Sequence, residues 1–285
     1  MLSFDGRRSN KSAALARAKT VGTNVKNERN REELFWSQAA WCDPAAKCTK
    51  EGCNHSFYAH EHYVPEAIAY GERAIFLALT PKRARRWTKN FVSAVPVGVE
   101  TTTLDRVWRQ LALTILRHRK YGMLQCAYTH AQENAILNII KLYEADNFED
   151  EAAWKKAMDA AYEAAKSTEY TGAASMRNRF QAGNKAAFVA GHLAATPKWQ
   201  RWMAQALRQA PGALREHWIA DYKASYEKSK SSWDSTELDK SAQAWEENAY
   251  AWFGNQLLYE LRSIDGGLPF WRRSAPLPHD KGDDA

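Results

Sequence analysis

The sequence lacks any run of apolar residues long enough to cross a bilayer. Two of its most apolar stretches, AIFLAL at residues 74–79 and AILNIIKLY at residues 135–143, are far shorter than the roughly 20 residues that a membrane-spanning helix requires. The N-terminal residues also show no continuous apolar segment and no cleavage site of the kind found in secretory signals. We therefore expect a cytoplasmic protein without a membrane partner.

The common catalytic signatures are also missing. The sequence contains no phosphate-binding loop G-x-x-x-x-G-K-[S/T], no dinucleotide-binding G-x-G-x-x-G, no nucleophile elbow G-x-S-x-G and no H-E-x-x-H. The zinc deaminase pattern, H-x-E followed by P-C-x-x-C, is absent as well. Because no catalytic motif is found, the sequence predicts a protein that binds a partner and catalyses no reaction.

Cysteine and histidine are scarce, yet they are concentrated in one short segment. Three of the four cysteines and three of the eight histidines lie in CDPAAKCTKEGCNHSFYAHEH, residues 42–62. Zinc prefers four ligands in a tetrahedron, commonly thiolates with or without imidazole. Clustered cysteines in a chain without an export signal favour metal binding over disulfides. We therefore predict one structural Zn²⁺ in this segment.

The spacing of these residues leaves the fourth zinc ligand open. The predicted ligands are Cys42, Cys48, Cys53, His55 and His60. His62 is a further candidate, and Cys126 would make a four-thiolate set. Cys126 lies four residues before His130, so both would share one face of an expected helix. The alternative is that the cysteines are simply buried as small apolar residues.

The order and closeness of the predicted ligands resemble those of the Cys-Cys-Cys-His fingers that bind RNA. An aromatic residue also stands just before the histidine in FYAH, residues 57–60. The resemblance covers only the cysteine and histidine segment, and Phe57 occupies the position where those fingers place their histidine. The resemblance implies a zinc-stabilised surface that contacts RNA.

Positive charge is distributed unevenly along the chain. Residues 1–143 hold 22 Lys and Arg against 12 Asp and Glu, whereas residues 144–285 hold 18 against 21. The formal net charge of +7 therefore comes from the N-terminal half. Clustered Lys and Arg gain affinity for phosphate by counterion release. We expect the N-terminal half to face nucleic acid, and a merely lopsided surface charge is the alternative.

The most basic segment is PKRARRWTKNF, residues 81–91, which Thr80 and Pro81 predict to be the start of a helix. Trp87 and Phe91 share one side of this helix and predict a buried face. The predicted phosphate-binding residues of the helix are Lys82, Arg83, Arg85, Arg86 and Lys89. Further cations predicted to bind nucleic acid are Arg7, Arg8, Lys11, Arg106 and Arg109. The alternative is a solvated face in which long side chains cover apolar surface.

Tryptophan is abundant, with 12 residues, and several of them recur at helical spacing. Trp199 and Trp202 are three residues apart, and Trp245 and Trp252 are seven apart. We interpret these residues as core or helix-contact residues, because base stacking is disfavoured in an acidic region.

The expected fold is mainly α, a helical bundle with a small zinc-stabilised, basic α+β N-terminal region. Alternating β-branched residues at 95–103 favour a short strand, and residues 66–79 are ambiguous between helix and strand. Helices are expected at 28–41, from 81, around 107–116, and over most of the chain thereafter, with separate helices at 197–209 and 211–229. The expected organisation is a basic flexible arm at 1–27, a zinc-bearing basic region at 28–102, a helical bundle at 103–268 and a flexible tail at 269–285.

These features predict a nucleic-acid-binding protein that belongs to a nucleoprotein complex. Its expected partners are DNA or RNA, contacted mainly through phosphate, and protein subunits contacted by the C-terminal helices. In architecture it is similar to the large subunit of a minimal CRISPR effector complex of the type IV kind, and plasmid or phage replication and transfer proteins share the same features. The alternative is a helical scaffold protein whose zinc is purely structural.

Overall fold

The computed structural model describes residues 1–24, 63–166, 174–229 and 234–265. Within these residues the chain forms nine α-helices and no β-strand, which confirms the prediction of a mainly α protein. In chain order the helices are α1 (Arg8–Asn24), α2 (Glu66–Ala78), α3 (Pro81–Ala94), α4 (Thr101–Arg117), α5 (His130–Glu144), α6 (Glu151–Ala165), α7 (Ala174–Ala195), α8 (Trp202–Ser229) and α9 (Ser235–Asp265). Two short 3-10 helices are also present, Ser3–Gly6 before α1 and Met123–Cys126 between α4 and α5.

Several helices begin at side chains that satisfy their first backbone N–H groups. Thr129 forms a reciprocal capping box with Gln132 at the start of α5. Asp150 accepts a hydrogen bond from the N–H of Ala153 at 2.9 Å before α6. Asp234 accepts one from the N–H of Thr236 at 2.7 Å before α9. The sequence therefore fixes these helix starts locally.

The N-terminal residues pack against the body of the protein, which differs from the expected flexible arm. Phe4 is completely buried in the main core. Helix α1 packs against α3, and the ammonium group of Lys11 donates hydrogen bonds to the carbonyl oxygens of Ser93 (2.9 Å) and Val95 (2.6 Å). A cation is favourable there because the last carbonyls of a helix carry partial negative charge. Burial of the apolar Phe4 side chain therefore holds this segment against the body of the protein in spite of its high positive charge.

The short strand expected near residues 95–103 is reduced to a single bridge. Leu2 and Glu100 form an isolated antiparallel β-bridge. On either side, the N–H of Ser3 donates to the carbonyl of Val99 at 2.8 Å and the N–H of Thr101 donates to the carbonyl of Met1 at 3.0 Å. Pairing stops because α4 begins at Thr101. The β-branched residues thus pair with the chain start without forming a sheet.

Two helix boundaries differ from the sequence prediction. The helices expected at 197–209 and 211–229 are one continuous helix, α8, with Pro211 inside it. Proline removes one backbone hydrogen bond, but Pro211 is buried and α8 packs extensively against α7, so tertiary packing keeps the helix continuous. The helix that was expected to contain both Cys126 and His130 begins only at His130, because Met123–Cys126 forms a 3-10 turn.

One hydrophobic core joins all nine described helices. Its buried members run from Phe4 through Phe91 and Trp108 to Leu261. Alanine-rich faces let α7 and α8 approach closely, with Ala186 and Ala210 both fully buried. The boundary expected between residues 102 and 103 therefore does not separate two cores in the part of the chain that the structure describes.

Candidate nucleic-acid interface

Helix α3 separates its apolar and basic side chains onto two faces. Trp87 and Phe91 are buried, at 5% and 0% exposure, and Ala84 and Val92 lie with them in the core. These positions recur at helical spacing and form one stripe. The five predicted cations are all exposed: Lys82, Arg83, Arg85, Arg86 and Lys89. The structure thus places the cations together on the solvent side of one rigid helix.

Contacts with α9 hold α3 in a fixed orientation. Trp87 packs over Gly254, where an added Cβ would lie only 2.8 Å from Cζ3 of the indole. The guanidinium group of Arg83 donates to the carbonyl oxygen of Glu247 at 3.4 Å and to Oδ1 of Asn248 at 3.3 Å. Because its buried face and one of its cations are both anchored, α3 presents the remaining cations as a defined surface.

Most cations of α3 lack an acidic partner within the residues that the structure describes. Those without an ion pair are Lys82, Arg83, Arg86 and Lys89. Cations of the C-terminal half are instead commonly paired, as in Lys155–Asp159 (2.6 Å), Arg179–Asp221 (2.6 Å) and Lys185–Glu216 (2.9 Å). Like charges four residues apart on a helix repel each other. A bound polyanion would relieve this repulsion.

Arg7 and Arg8 extend the positive surface beyond the C-terminal end of α3. Both are exposed at the start of α1. They lie near that end of α3 because Lys11, one turn further along α1, bonds to the carbonyls of Ser93 and Val95. The predicted binding residue Lys11 is therefore engaged as a helix cap, whereas Arg7 and Arg8 remain at the surface.

The two predicted arginines of α4 differ in their surroundings. Arg106 is exposed. Arg109 forms an ion pair with Asp146 at 2.9 Å, and its guanidinium lies over the ring of Phe148, 4.0 Å from the centroid. A carboxylate and an aromatic face already satisfy this charge. Arg109 therefore connects α4 to the segment after α5 and is poorly placed to contact phosphate.

The predicted zinc ligands Cys42, Cys48, Cys53, His55 and His60, together with His62, lie outside the residues that the structure describes. In the described residues, no group of three or more His, Cys, Asp or Glu side chains is arranged to hold a metal. Cys126 is a free thiol at 2% exposure, within 4.0 Å of the carbonyl oxygen of Gly122, and burial raises its pKa. It packs as a small apolar residue. His130 does not share a helix face with it, since α5 begins at His130.

An aromatic patch that the sequence did not reveal lies between α4 and α9. It consists of His118, Tyr121, Trp245 and Trp252, all half-buried. The ring centroids of His118 and Trp252 are 4.3 Å apart, those of Tyr121 and Trp252 are 4.8 Å apart, and those of Tyr121 and Trp245 are 5.7 Å apart. The spacing of Trp245 and Trp252 indicated a helix contact. Its partners could not be identified because they lie far away in sequence.

The histidine of this patch is held as a neutral ring. Nδ1 of His118 accepts hydrogen bonds from the backbone N–H groups of Tyr121 at 3.1 Å and Lys120 at 3.3 Å. Burial and the nearby charge of Lys120 both lower the pKa of His118 from its ordinary value of 6.5. An acceptor role for Nδ1 places the ring proton on Nε2. At neutral pH the patch is therefore uncharged apart from the flanking lysine.

No protein-family model, characterised protein or solved structure matches this chain. Within the described helices, none combines the length and the apolar character needed to cross a membrane. We therefore infer the function from the surfaces of the molecule itself.

Proposed function

We propose that this protein binds nucleic acid without catalysing a reaction, through phosphate contacts made by the exposed face of α3. The observation that carries the proposal is the set of α3 cations without acidic partners among the described residues. The cations of α3 lie between residues 82 and 89, about 11 Å along the helix axis, which is roughly three phosphate spacings along one strand. The cations of α3 therefore match a phosphate backbone in both charge and reach.

The N-terminal end of α3 supports the same proposal. The first turn of the helix contains no acidic residue, and the Thr80 side chain makes no capping hydrogen bond. Lys82 and Arg83 instead stand beside the positive end of the helix dipole, where cations are unfavourable. The N–H groups of such a helix end favour a phosphate group. An anion bound there would interact with both the dipole and the cations.

The proposal includes one structural Zn²⁺ bound by the segment of residues 42–62. Its support is the concentration of cysteine and histidine there, in an order that resembles the RNA-binding Cys-Cys-Cys-His fingers. In this proposal the zinc stabilises the segment of residues 42–62, which adds to the nucleic-acid contacts made by α3.

We also propose that the protein is one subunit of a nucleoprotein complex and contacts protein through its C-terminal helices. Met176 and Phe188 on α7 are 37% and 42% exposed, more than the apolar residues of a fully covered helix. A type IV-like CRISPR effector large subunit and a plasmid or phage replication or transfer protein both fit this description. The same exposed residues favour the second candidate function, a helical scaffold without nucleic-acid binding.

Charge reversal on α3 separates the two candidate functions. The test variant changes Lys82, Arg86 and Lys89, which share one side of the helix, to glutamate. The matched control changes three exposed cations of the C-terminal half to glutamate: Lys156, Arg177 and Lys228. Both variants carry the same net charge, so general electrostatics cannot distinguish them.

We expect the test variant to bind labelled DNA and RNA at least about tenfold more weakly than the control at physiological salt. The slope of log K against log salt should become shallower by about one for each phosphate contact that is lost. Equal affinities of the folded test and control variants would contradict the phosphate-binding proposal. Binding to a protein partner that is insensitive to salt would favour the scaffold.

A further inference from the structure

The aromatic patch of His118, Tyr121, Trp245 and Trp252 is accessible from solvent. The ammonium group of the exposed Lys120 lies 5.1 Å from the centroid of the Tyr121 ring and 5.2 Å from that of Trp245. A solvated lysine can reach these rings only if part of their surface faces water. The patch thus differs from the core aromatics, such as Phe91 and Phe253, which have no exposed surface.

An uncharged strip of α9 connects this patch to α3. Ala244, Asn248, Ala251 and Asn255 recur at intervals of four, three and four residues, so they share one face of α9. None of them is buried. Asn248 also accepts the hydrogen bond from Arg83, which places the strip directly beside the cations of α3.

The patch and the anchored arginine are close along the helix axis. Trp245 precedes Asn248 by three residues and Trp252 follows it by four, which corresponds to about 4–6 Å along α9. The four residues of the strip are uncharged, and the neighbouring carboxylate of Glu247 accepts a hydrogen bond from Gln243 at 3.4 Å. A chain of nucleotides lying across it would therefore meet cations on one side and aromatic rings on the other.

We propose that this surface binds single-stranded nucleic acid, with bases stacked on the aromatic patch and phosphates on the cations of α3. The proposal rests on the proposed function and narrows its ligand. Duplex bases are paired and stacked inside the helix, whereas an unpaired base has a free face to offer to an aromatic side chain. Every base has such a face, so DNA and RNA strands share the required chemistry.

Lys120 covers the rings in the free protein, and an incoming base can replace it there. A base stacked on an aromatic side chain is held more tightly than a cation over an exposed ring. An incoming base therefore displaces the lysine from Tyr121 and Trp245 favourably. The released ammonium group can then pair with the phosphate of the same nucleotide.

The distribution of charge favours binding of the nucleic-acid strand at the end of the patch that faces α3. Trp245 lies 6.4 Å from Trp218 on α8, beyond which the aromatic contacts continue to Tyr222. The carboxylates of Asp234 and Glu237 stand near Tyr222 in that continuation. Phosphate is disfavoured there, so we place the strand across α9 towards α3.

The test compares strands of equal charge with and without bases. Wild-type protein is titrated with a 20-nucleotide oligo-dT, with oligo-rU and with an abasic strand of the same length. We expect at least about fivefold tighter binding of both base-bearing strands, because one stack of about 1 kcal/mol already gives that factor. Tyr121→Leu should remove this advantage, whereas Tyr128→Leu, the same change at an exposed tyrosine elsewhere, should leave it intact.

Equal binding of base-bearing and abasic strands by the wild-type protein would overturn the stacking proposal without any variant. An unchanged preference in Tyr121→Leu would overturn it as well. If the α3 charge-reversal variant binds neither strand, and base-bearing strands bind no more tightly than the abasic strand, then phosphate binding is supported and only the stacking proposal is contradicted. Undiminished binding of both strands in that variant would instead contradict the proposed function itself.

Discussion

Glu72 is a carboxyl group enclosed by the core between α2 and α3. The residue is 6% exposed, and its Oε1 has no hydrogen-bond partner in the part of the chain that the structure describes. Burial raises the pKa of Glu72 from its ordinary value to about 8, and this effect outweighs the opposing influence of the Trp87 indole and the Arg73 charge. The folded protein therefore holds Glu72 protonated where the unfolded chain ionises it.

This difference makes stability fall as the pH rises. Between about 4.5 and about 8 the native state retains a proton that the unfolded state has lost, so Glu72 contributes a loss of at most about 1.4 kcal/mol for each pH unit. Glu72→Gln keeps the shape of the side chain without the ionisation. We expect the variant to gain stability over wild type progressively from pH 5 to pH 8, measured by urea unfolding. A stability difference that is constant across this range would contradict the pKa shift.

Among the helices, α3 carries positive charge in its first turn, where cations lower the stability of a helix. Lys82 stands near the positive end of the helix dipole, whereas Lys89 lies beyond the first turn. Glutamate at position 82 would lie three residues before Arg85 and four before Arg86. Glutamate at position 89 would lie four residues after Arg85 and three after Arg86. The two substitutions are therefore matched in charge and in the spacing of their neighbours. They differ in distance from the helix end and in the order of acid and base, and both differences favour glutamate at position 82.

We expect Lys82→Glu to stabilise the free protein by roughly 0.3–1 kcal/mol relative to Lys89→Glu, because only the first carboxylate meets the dipole. Both variants should bind nucleic acid more weakly than wild type. Thermal unfolding at low salt measures the first effect, and oligonucleotide titration measures the second. Equal stabilities of the two variants would show that the helix end is not electrostatically frustrated.

Local sequence patterns were sufficient to predict individual helices, but not which helices are continuous or which residues meet in the tertiary fold. Thr80 and Pro81 correctly marked the start of α3, and the spacing of Trp87 and Phe91 predicted its buried face. Separate helices were expected at 197–209 and 211–229, yet packing against α7 keeps α8 continuous. The basic face of α3 was predicted from the high density of Lys and Arg in its sequence. The aromatic patch did not, because its two halves meet only through the tertiary fold.

At the scale of the whole molecule, the sequence boundaries describe charge and not cores. Residues 1–27 and 28–102 were expected to form separate basic regions, but Phe4, Phe91 and Leu261 belong to one hydrophobic cluster. Charge distribution reflects what a surface contacts, whereas packing depends on a few buried side chains in each segment. A single aromatic residue at position 4 is enough to make the basic N-terminal segment part of the body.

The proposed zinc ion and partner subunits belong to this scale as well. Native mass spectrometry of untagged protein, purified without added metal, should show a mass increment of one zinc per chain. Cys48→Ser should abolish the increment, because a tetrahedral site that loses a thiolate ligand binds far more weakly. Co-purified subunits or oligonucleotide would appear in the same spectrum. A wild-type chain at its bare mass would contradict the zinc proposal.

The common core of α3 and α9 has a consequence for the identification of ligands. Because the buried side of α3 is part of the same core as the other eight described helices, a ligand that binds only the folded helix must raise the melting temperature of that whole core. A strand present at a hundred times its dissociation constant would add about 2.7 kcal/mol to the free energy of unfolding. A single melting curve for each candidate strand would therefore rank a panel of sequences, lengths and sugar types without a label on either molecule.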